Sequence, residues 1–246
     1  MLNRRSFIGA TAVGGALLGS GCISAFGGNE NENVVLSPPE NYERLRNAEL
    51  PYPVYSESLP EATVEAPLRD TDVSVPNDFE GDRHVLLTFI FTRCTGVCPG
   101  LTANLVQAQA DASERGYGDE IALLAMSFDP VYDTEDILRE YADEMGIDRD
   151  AGNFYLLRPD GEGRAREVID ETYGHGYEKT EAYSPTGEFM DHSEMETENG
   201  ETMQPFAHMP LFFLVNKDGY VERSYLNTAP NPSTVVDDLR ELQEGY

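Results

Sequence analysis

His84-Val85-Leu86-Leu87-Thr88-Phe89-Ile90-Phe91 runs directly into Thr92-Arg93-Cys94-Thr95-Gly96-Val97-Cys98-Pro99. The first eight residues are apolar, β-branched or aromatic with no alternation, the pattern of a strand covered on both faces. Beyond them Leu101, Leu105, Ala108 and Ala112 recur at helical spacing, and the stripe closes at Gly116, so a helix is expected to Arg115. Cys94 and Cys98 therefore stand where a strand hands over to a helix. A spacing of four sets both sulfurs on one face, about one turn apart, once the helix has begun. Unpaired N–H groups and the positive end of the helix dipole favour thiolate over thiol there. Two neighbouring thiolates can close a disulfide or clasp a soft metal ion, copper(I) above all.

Ile121 to Phe128 reads as a second buried strand, and Asp133-Thr134-Glu135 opens a helix that ends at Gly146. A third strand covers Asn153 to Leu157 and a further helix Arg164 to Tyr173. Leu211 to Asn216 is again a buried strand; it turns at Lys217-Asp218-Gly219, pairs back through Tyr220 to Leu226, and a closing helix runs from Pro232 to Leu242. Upstream, Ala62 to Leu68 and Val73-Ser74-Val75 alternate around Arg69-Asp70-Thr71-Asp72 and predict a hairpin. Residues 174–207 are polar with little periodicity, and Thr180 to Gln204 reads as an acidic insertion. Strands alternating with helices predict an α/β fold, and the late strand–turn–strand–helix resembles the second half of a thioredoxin fold. The expected architecture is thioredoxin-like, with an N-terminal hairpin extension and an acidic insertion before the last β-hairpin.

The N-terminus reads as an address. Arg4-Arg5-Ser6-Phe7-Ile8 resembles a twin-arginine export signal, and the glycine-interrupted apolar run Phe7 to Leu18 is shorter than the roughly 20 residues a bilayer span needs. The run stops at Leu18-Gly19-Ser20-Gly21-Cys22, which resembles a lipoprotein cleavage site with Cys22 as the lipid-modified N-terminus, although Gly19 stands where a leucine is usual. An uncleaved apolar anchor is the other reading. Residues 1–21 are thus expected as signal peptide, 22–50 as a flexible lipid-anchored tether rich in Gly, Asn and Glu, and 51–246 as one domain. Three cysteines leave an odd one in an exported chain; lipidation of Cys22 accounts for it and leaves Cys94 and Cys98 as a pair.

Asp and Glu total 45 of the 246 residues against 17 Lys and Arg, a net charge of -28. Such a surface repels phosphate backbones and argues against nucleic acid as a partner. Lysine occurs only at Lys179 and Lys217, and high acidity with scarce lysine resembles proteins of extreme halophiles.

The residues around the cysteines resemble the Sco/SenC family of copper-binding, thioredoxin-like proteins. The correspondence runs through Gly81-Asp82, Phe91 to Pro99, Ser127-Phe128-Asp129-Pro130 with Asp133-Thr134 and Leu138, then His208 ahead of Leu211 to Val215 and the turn Asp218-Gly219. It spans Ala62 to the C-terminus. In that family two thiolates and a distant histidine hold copper, so the resemblance assigns Cys94, Cys98 and His208 as ligands for copper(I) or copper(II). Four histidines compete for the third position. His84 reads as a strand-end residue, His175 as part of a surface loop between glycines, and His192 precedes an acidic stretch that cannot be a buried strand. His208 is followed by one, which fixes where its ring points.

Asp129 and Asp133 follow a strand end, where sites of α/β sheets lie, but Asp133 would equally serve as a helix cap. Met209-Pro210 places a proline where thioredoxin-like folds generally have a cis-proline, and cis costs an X–Pro bond only about 0.5–1 kcal/mol. Met190, His192 and Met195 lie in the acidic insertion and offer soft or imidazole donors for transient copper transfer, against a purely solvating role for the segment. The resemblance implies a copper carrier outside the cytoplasm, tethered to the membrane, that serves the copper-containing subunit of a terminal respiratory oxidase or another copper carrier. The rival reading is a thiol–disulfide reductase in which Cys94 and Cys98 are the catalytic redox pair; a peroxidase has no support beyond the fold.

Overall fold

The computed structural model describes residues 33–184 and 205–246. The chain divides into Met1–Glu30, which lies outside the described residues, and Asn31–Tyr246. The signal, Cys22, and the donors Met190, His192 and Met195 all fall outside the described residues.

In chain order the elements are α1 (Tyr42–Leu45), β1 (Ala62–Ala66), β2 (Thr71–Val75), β3 (His84–Ile90), α2 (Cys98–Arg115), β4 (Ile121–Ser127), α3 (Glu135–Met145), β5 (Phe154–Leu157), α4 (Gly161–Ala165), β6 (Tyr177–Lys179), β7 (Phe206–His208), β8 (Leu211–Val215), β9 (Val221–Leu226) and α5 (Pro232–Glu244). The five-stranded central sheet has the order β5-β4-β3-β8-β9. β3 runs parallel to β4 and β4 to β5, while β8 runs antiparallel to both β3 and β9. Every residue of β3, β4 and β8 is buried, as their unalternating apolar runs require, because helices and loops cover both faces of the sheet. The expected hairpin is β1–β2, paired from Ala62 with Val75 to Ala66 with Thr71.

Strand direction decides what meets at the sheet's end. β3 and β4 are in parallel register from His84 with Ile121 to Ile90 with Ser127, so the loops that follow them leave the same edge. β8 runs the other way, Thr88 pairing with Phe212, so the segment entering β8 arrives at that edge as well. The Thr88 hydroxyl donates to the Leu211 carbonyl at 2.8 Å and pins that entry. Cys94, Asp129 and His208 are thereby brought to one place from three distant parts of the chain.

Several details differ from the sequence reading. The helix expected from Arg164 to Tyr173 is a short α-helix followed by a π-helical segment, Arg166–Thr172. At its exit Gly174 adopts φ +71, and a Cβ there would sit 2.0 Å from the Pro51 carbonyl oxygen, so only glycine fits. Part of the stretch 174–207 is ordered pairing: β6 and β7 form an antiparallel ribbon, Tyr177 opposite His208 and Lys179 opposite Phe206, which clasps both ends of the acidic insertion. The cis bond among the described residues is Val75–Pro76, and Met209–Pro210 is trans. Residues 33–50, part of the stretch expected as tether, lie against the domain. Leu36 is buried, and the N–H groups of Val35 and Leu36 each donate to the buried Glu222 carboxylate at 2.9 Å.

Candidate metal centre

The loop after β3 turns on a bond from the Cys94 N–H to the Phe91 carbonyl, and the helix then starts with Cys98 and Pro99 in its first turn. Proline is tolerated there because a first-turn N–H would have no intrahelical partner. Cys94 is 6% exposed and Cys98 fully buried, and both are free thiols. His208, the last residue of β7, turns Nε2 toward Cys98 Sγ at 3.8 Å. The two sulfurs and a His208 ring nitrogen all lie within 4.8 Å of one another, the one such donor cluster among the described residues. A point equidistant from three atoms at that limit is about 2.8 Å from each, so a contraction of about half an ångström reaches ordinary thiolate–metal bond lengths of about 2.3 Å. Two sulfurs and an imidazole are the donor set expected for copper(I), and one that also accommodates copper(II).

The two thiols are electrostatically unequal. Cys94 is lowered to about 4, chiefly because the Cys98 thiol donates to it, with help from the Cys98 and Gly96 N–H groups against the cost of burial. The Gly96 N–H stands 3.4 Å from Cys94 Sγ. Cys98 is pushed up, first by burial and then by the neighbouring Cys94 sulfur. The pair therefore shares one proton, drawn toward Cys98, and Cys94 is the sulfur favoured as thiolate.

Two carboxylates brace this loop. Asp133 is fully buried and accepts from the Thr92 N–H, the Thr92 hydroxyl and the Ser127 hydroxyl, tying the cysteine loop to the end of β4. Burial raises it to about 6, with the two hydroxyls pulling the other way. It does not cap α3: Thr134 does, its side chain accepting from the Ile137 N–H. Asp129 is also raised by burial, opposed by Arg93, whose Nη2 and Nε lie 2.7 and 3.0 Å from its Oδ2. Arg93 in addition donates to the Ser184 carbonyl and lies over the Tyr132 and Tyr183 rings. One guanidinium thus joins the cysteine loop, the post-β4 loop and the start of the insertion.

Of the four histidines, the structure brings only His208 to the sulfurs among the described residues. His84 is buried at the start of β3, the far end from Cys94, with its ring 4.9 Å from that of Tyr246; burial lowers it to about 3. His175 is not on a surface loop. It is fully buried, stacked on Phe89 at 4.7 Å with Phe128 beside it, and its ring centre is 5.6 Å from that of His208. No periodic signal marked it, because Gly174 is left-handed and the extended strand β6 begins only at Tyr177. His208 is half-buried, the least enclosed residue of the three, and it also borders an open cleft of about 540 Å³ lined by Arg166, Asp170, Tyr177, Glu178 and Met209.

A family model described as SCO1/SenC matches residues 69–244. No curated protein matches the chain by sequence. Among solved structures, the apo Sco1 protein of Thermus thermophilus is 24% identical, with a TM-score of 0.56 over 80% of this chain and 98% of that one. A SCO1/SenC family lipoprotein from Bacillus anthracis is 19% identical, with a TM-score of 0.56 over 76% of this chain and 95% of that one. Yeast Sco1 with copper bound is 16% identical, with a TM-score of 0.57 over 77% of this chain and 91% of that one. At these identities the likeness is one of fold, and it bears out the thioredoxin-like expectation.

Proposed function

We propose, from the premise that the chain belongs to the SCO1/SenC family, that it is a copper carrier in the assembly of a terminal respiratory oxidase. Cys94, Cys98 and His208 would hold the ion, and the copper-containing oxidase subunit would receive it. The observation that carries this reading is the convergence of two sulfurs and an imidazole within 4.8 Å from segments 110 residues apart. The copper-bound state of yeast Sco1 supports it. Release would begin at His208, the half-buried ligand of the three, whereas both sulfurs are enclosed.

The chain would work outside the cytoplasm, exported through the twin-arginine signal in residues 1–21 and held to the membrane by a lipid on Cys22. A Cys22→Ser protein should then be exported yet lose tight membrane association; retention as firm as wild type would make the apolar run 7–18 the anchor instead.

The inequality of the two thiols also favours a second activity, reduction of a disulfide in the recipient. The Cys94 thiolate would attack one sulfur of that disulfide, forming a mixed disulfide and expelling the other sulfur as a thiolate. Cys98 would then give up its proton to the expelled thiolate and attack Cys94, freeing the second recipient sulfur as a thiolate and leaving Cys94–Cys98 oxidised.

Copper stoichiometry of the reduced protein separates the readings. Wild type should bind about one copper(I) per chain, Cys94→Ser and Cys98→Ser should lose tight binding, and His208→Ala should bind far more weakly. A Cys94–Cys98 disulfide form that holds copper as tightly as the reduced protein refutes the site. Disulfide reduction that proceeds equally in His208→Ala, with no copper bound by wild type, makes the reductase the function.

A further inference from the structure

His175 contributes no donor to the cluster of Cys94, Cys98 and His208, and its surroundings are unusual for an imidazole. It is fully buried among Phe89, Phe128, Tyr177 and His208, with ring centres 4.7, 5.4, 6.4 and 5.6 Å away. Among the described residues neither of its ring nitrogens has a hydrogen-bond partner. A leucine or phenylalanine would fill such a cage without the cost of desolvating two polar atoms.

The same cage encloses a third unpaired ring nitrogen. His208 turns Nε2 to Cys98 Sγ, and its Nδ1 is buried without a partner among the described residues. A metal-binding histidine almost always donates its other ring N–H to an acceptor, which fixes the tautomer and leaves the lone pair on the nitrogen that faces the metal. Among the described residues no carboxylate or carbonyl does this for His208. His175 is close enough to do so. Imidazole nitrogens stand roughly 1 Å from the ring centre, so rings 5.6 Å apart that turn nitrogens toward each other bring them to roughly 3.5 Å, and a small tilt closes a hydrogen bond.

We infer that His175 is the positioning residue for His208: a ring nitrogen of His175 accepts the His208 Nδ1–H, which holds the His208 Nε2 lone pair toward Cys94 and Cys98. The direction of the bond follows from the site. Nε2 must be unprotonated to bind a metal, so Nδ1 carries the proton and His175 must accept it. A neutral imidazole carries one unprotonated ring nitrogen, so His175, enclosed by Phe89, Phe128 and Tyr177, offers a lone pair inside the cage. β6 supplies the mechanical link, because Tyr177, two residues beyond His175, pairs directly with His208 in the β6–β7 ribbon.

The inference rests on His208 being the metal ligand proposed above, and its test uses the metal-free protein so that the two fail separately. The tautomer of His208 is read by long-range ¹H–¹⁵N NMR in reduced, metal-free wild type, His175→Gln and His175→Leu, with His208→Ala used to assign the signals. Wild type should show a single His208 tautomer protonated at Nδ1. His175→Gln keeps an acceptor oxygen and should keep that tautomer, whereas His175→Leu fills the cage but offers no acceptor and should give a tautomer mixture. Titration with copper(I) should then show His175→Leu weakened by about 10–100-fold and His175→Gln much less. Wild-type His208 protonated at Nε2, or an unchanged tautomer in His175→Leu, overturns the inference. If the tautomers behave as stated but no variant binds copper, the copper reading fails and the His175–His208 bond stands.

Discussion

Asp133→Asn tests the brace beneath the cysteine loop. The Asp133 carboxyl is fully buried and is raised from an ordinary 3.8 to about 6, burial outweighing the bonds from Ser127 and Thr92. The folded protein therefore holds this proton more tightly than the unfolded chain. Between about 3.8 and about 6 the folded state carries more protons, so the contribution of Asp133 to stability falls as pH rises through that window and levels off above it. One decade of proton affinity is about 1.36 kcal/mol, so the full change is about 3 kcal/mol. Asparagine is nearly isosteric and has no charge to desolvate. Its carbonyl oxygen can accept from the Thr92 N–H and Ser127, and its amide can donate to the Thr92 hydroxyl. Urea unfolding of wild type and Asp133→Asn should be followed at constant high salt from below 3.8 to neutrality. The many surface carboxylates titrate alike in both proteins and cancel in the difference. Relative to wild type, the variant should gain about 3 kcal/mol on going from the acid end to neutral pH. Parallel profiles, or a wild type that gains on the variant as pH rises, would refute the reasoning.

Alkylation of the reduced protein should mark Cys94 well before Cys98, with a Cys94 rate that is nearly flat from neutrality to about pH 5, since its thiol lies at about 4; a rate falling tenfold per pH unit just below neutrality would contradict the shared-proton arrangement. Gly174→Ala should cost about 2–4 kcal/mol of stability by thermal or urea unfolding, because its Cβ would meet the Pro51 carbonyl oxygen at 2.0 Å in a left-handed backbone, and a loss below about 1 kcal/mol would mean that this contact yields easily. Glu222→Ala leaves the Val35 and Leu36 N–H groups without their shared acceptor, so amide exchange at those two positions should rise at least about tenfold while β3 and β4 stay protected; unchanged exchange would show that burial of Leu36 alone holds the segment.

The parts of this protein that could be read from the chain alone are those whose signal is local. β3, β4 and β8 are continuous apolar runs because each is covered on both faces, and that coverage writes itself into consecutive residues. Cys94 and Cys98 are four residues apart at a strand-to-helix junction, so their juxtaposition follows from helical geometry with no knowledge of the rest of the fold. His208 could be favoured over His192 because a buried strand follows it within three residues. The resemblance to the Sco/SenC family rested on the same short stretches, and the match over residues 69–244 bears it out.

What needed the tertiary structure are contacts between segments far apart, which leave no periodic trace. That His208 meets Cys98 across 110 residues depends on β8 lying beside β3 and running opposite to it. His175 looked like loop because glycines flank it, yet the β6–β7 ribbon and the Phe89 and Phe128 rings enclose it beside His208. Asp133 read equally as a cap or as a site residue until its three donors placed it beneath Thr92, and residues 33–50 looked like tether because the acceptor that holds Val35 and Leu36 is Glu222, 186 residues beyond Leu36. Composition and spacing determine which residues can do chemistry and which local elements they form. Strand order and direction determine which of them meet, because that is set by the packing of the whole sheet.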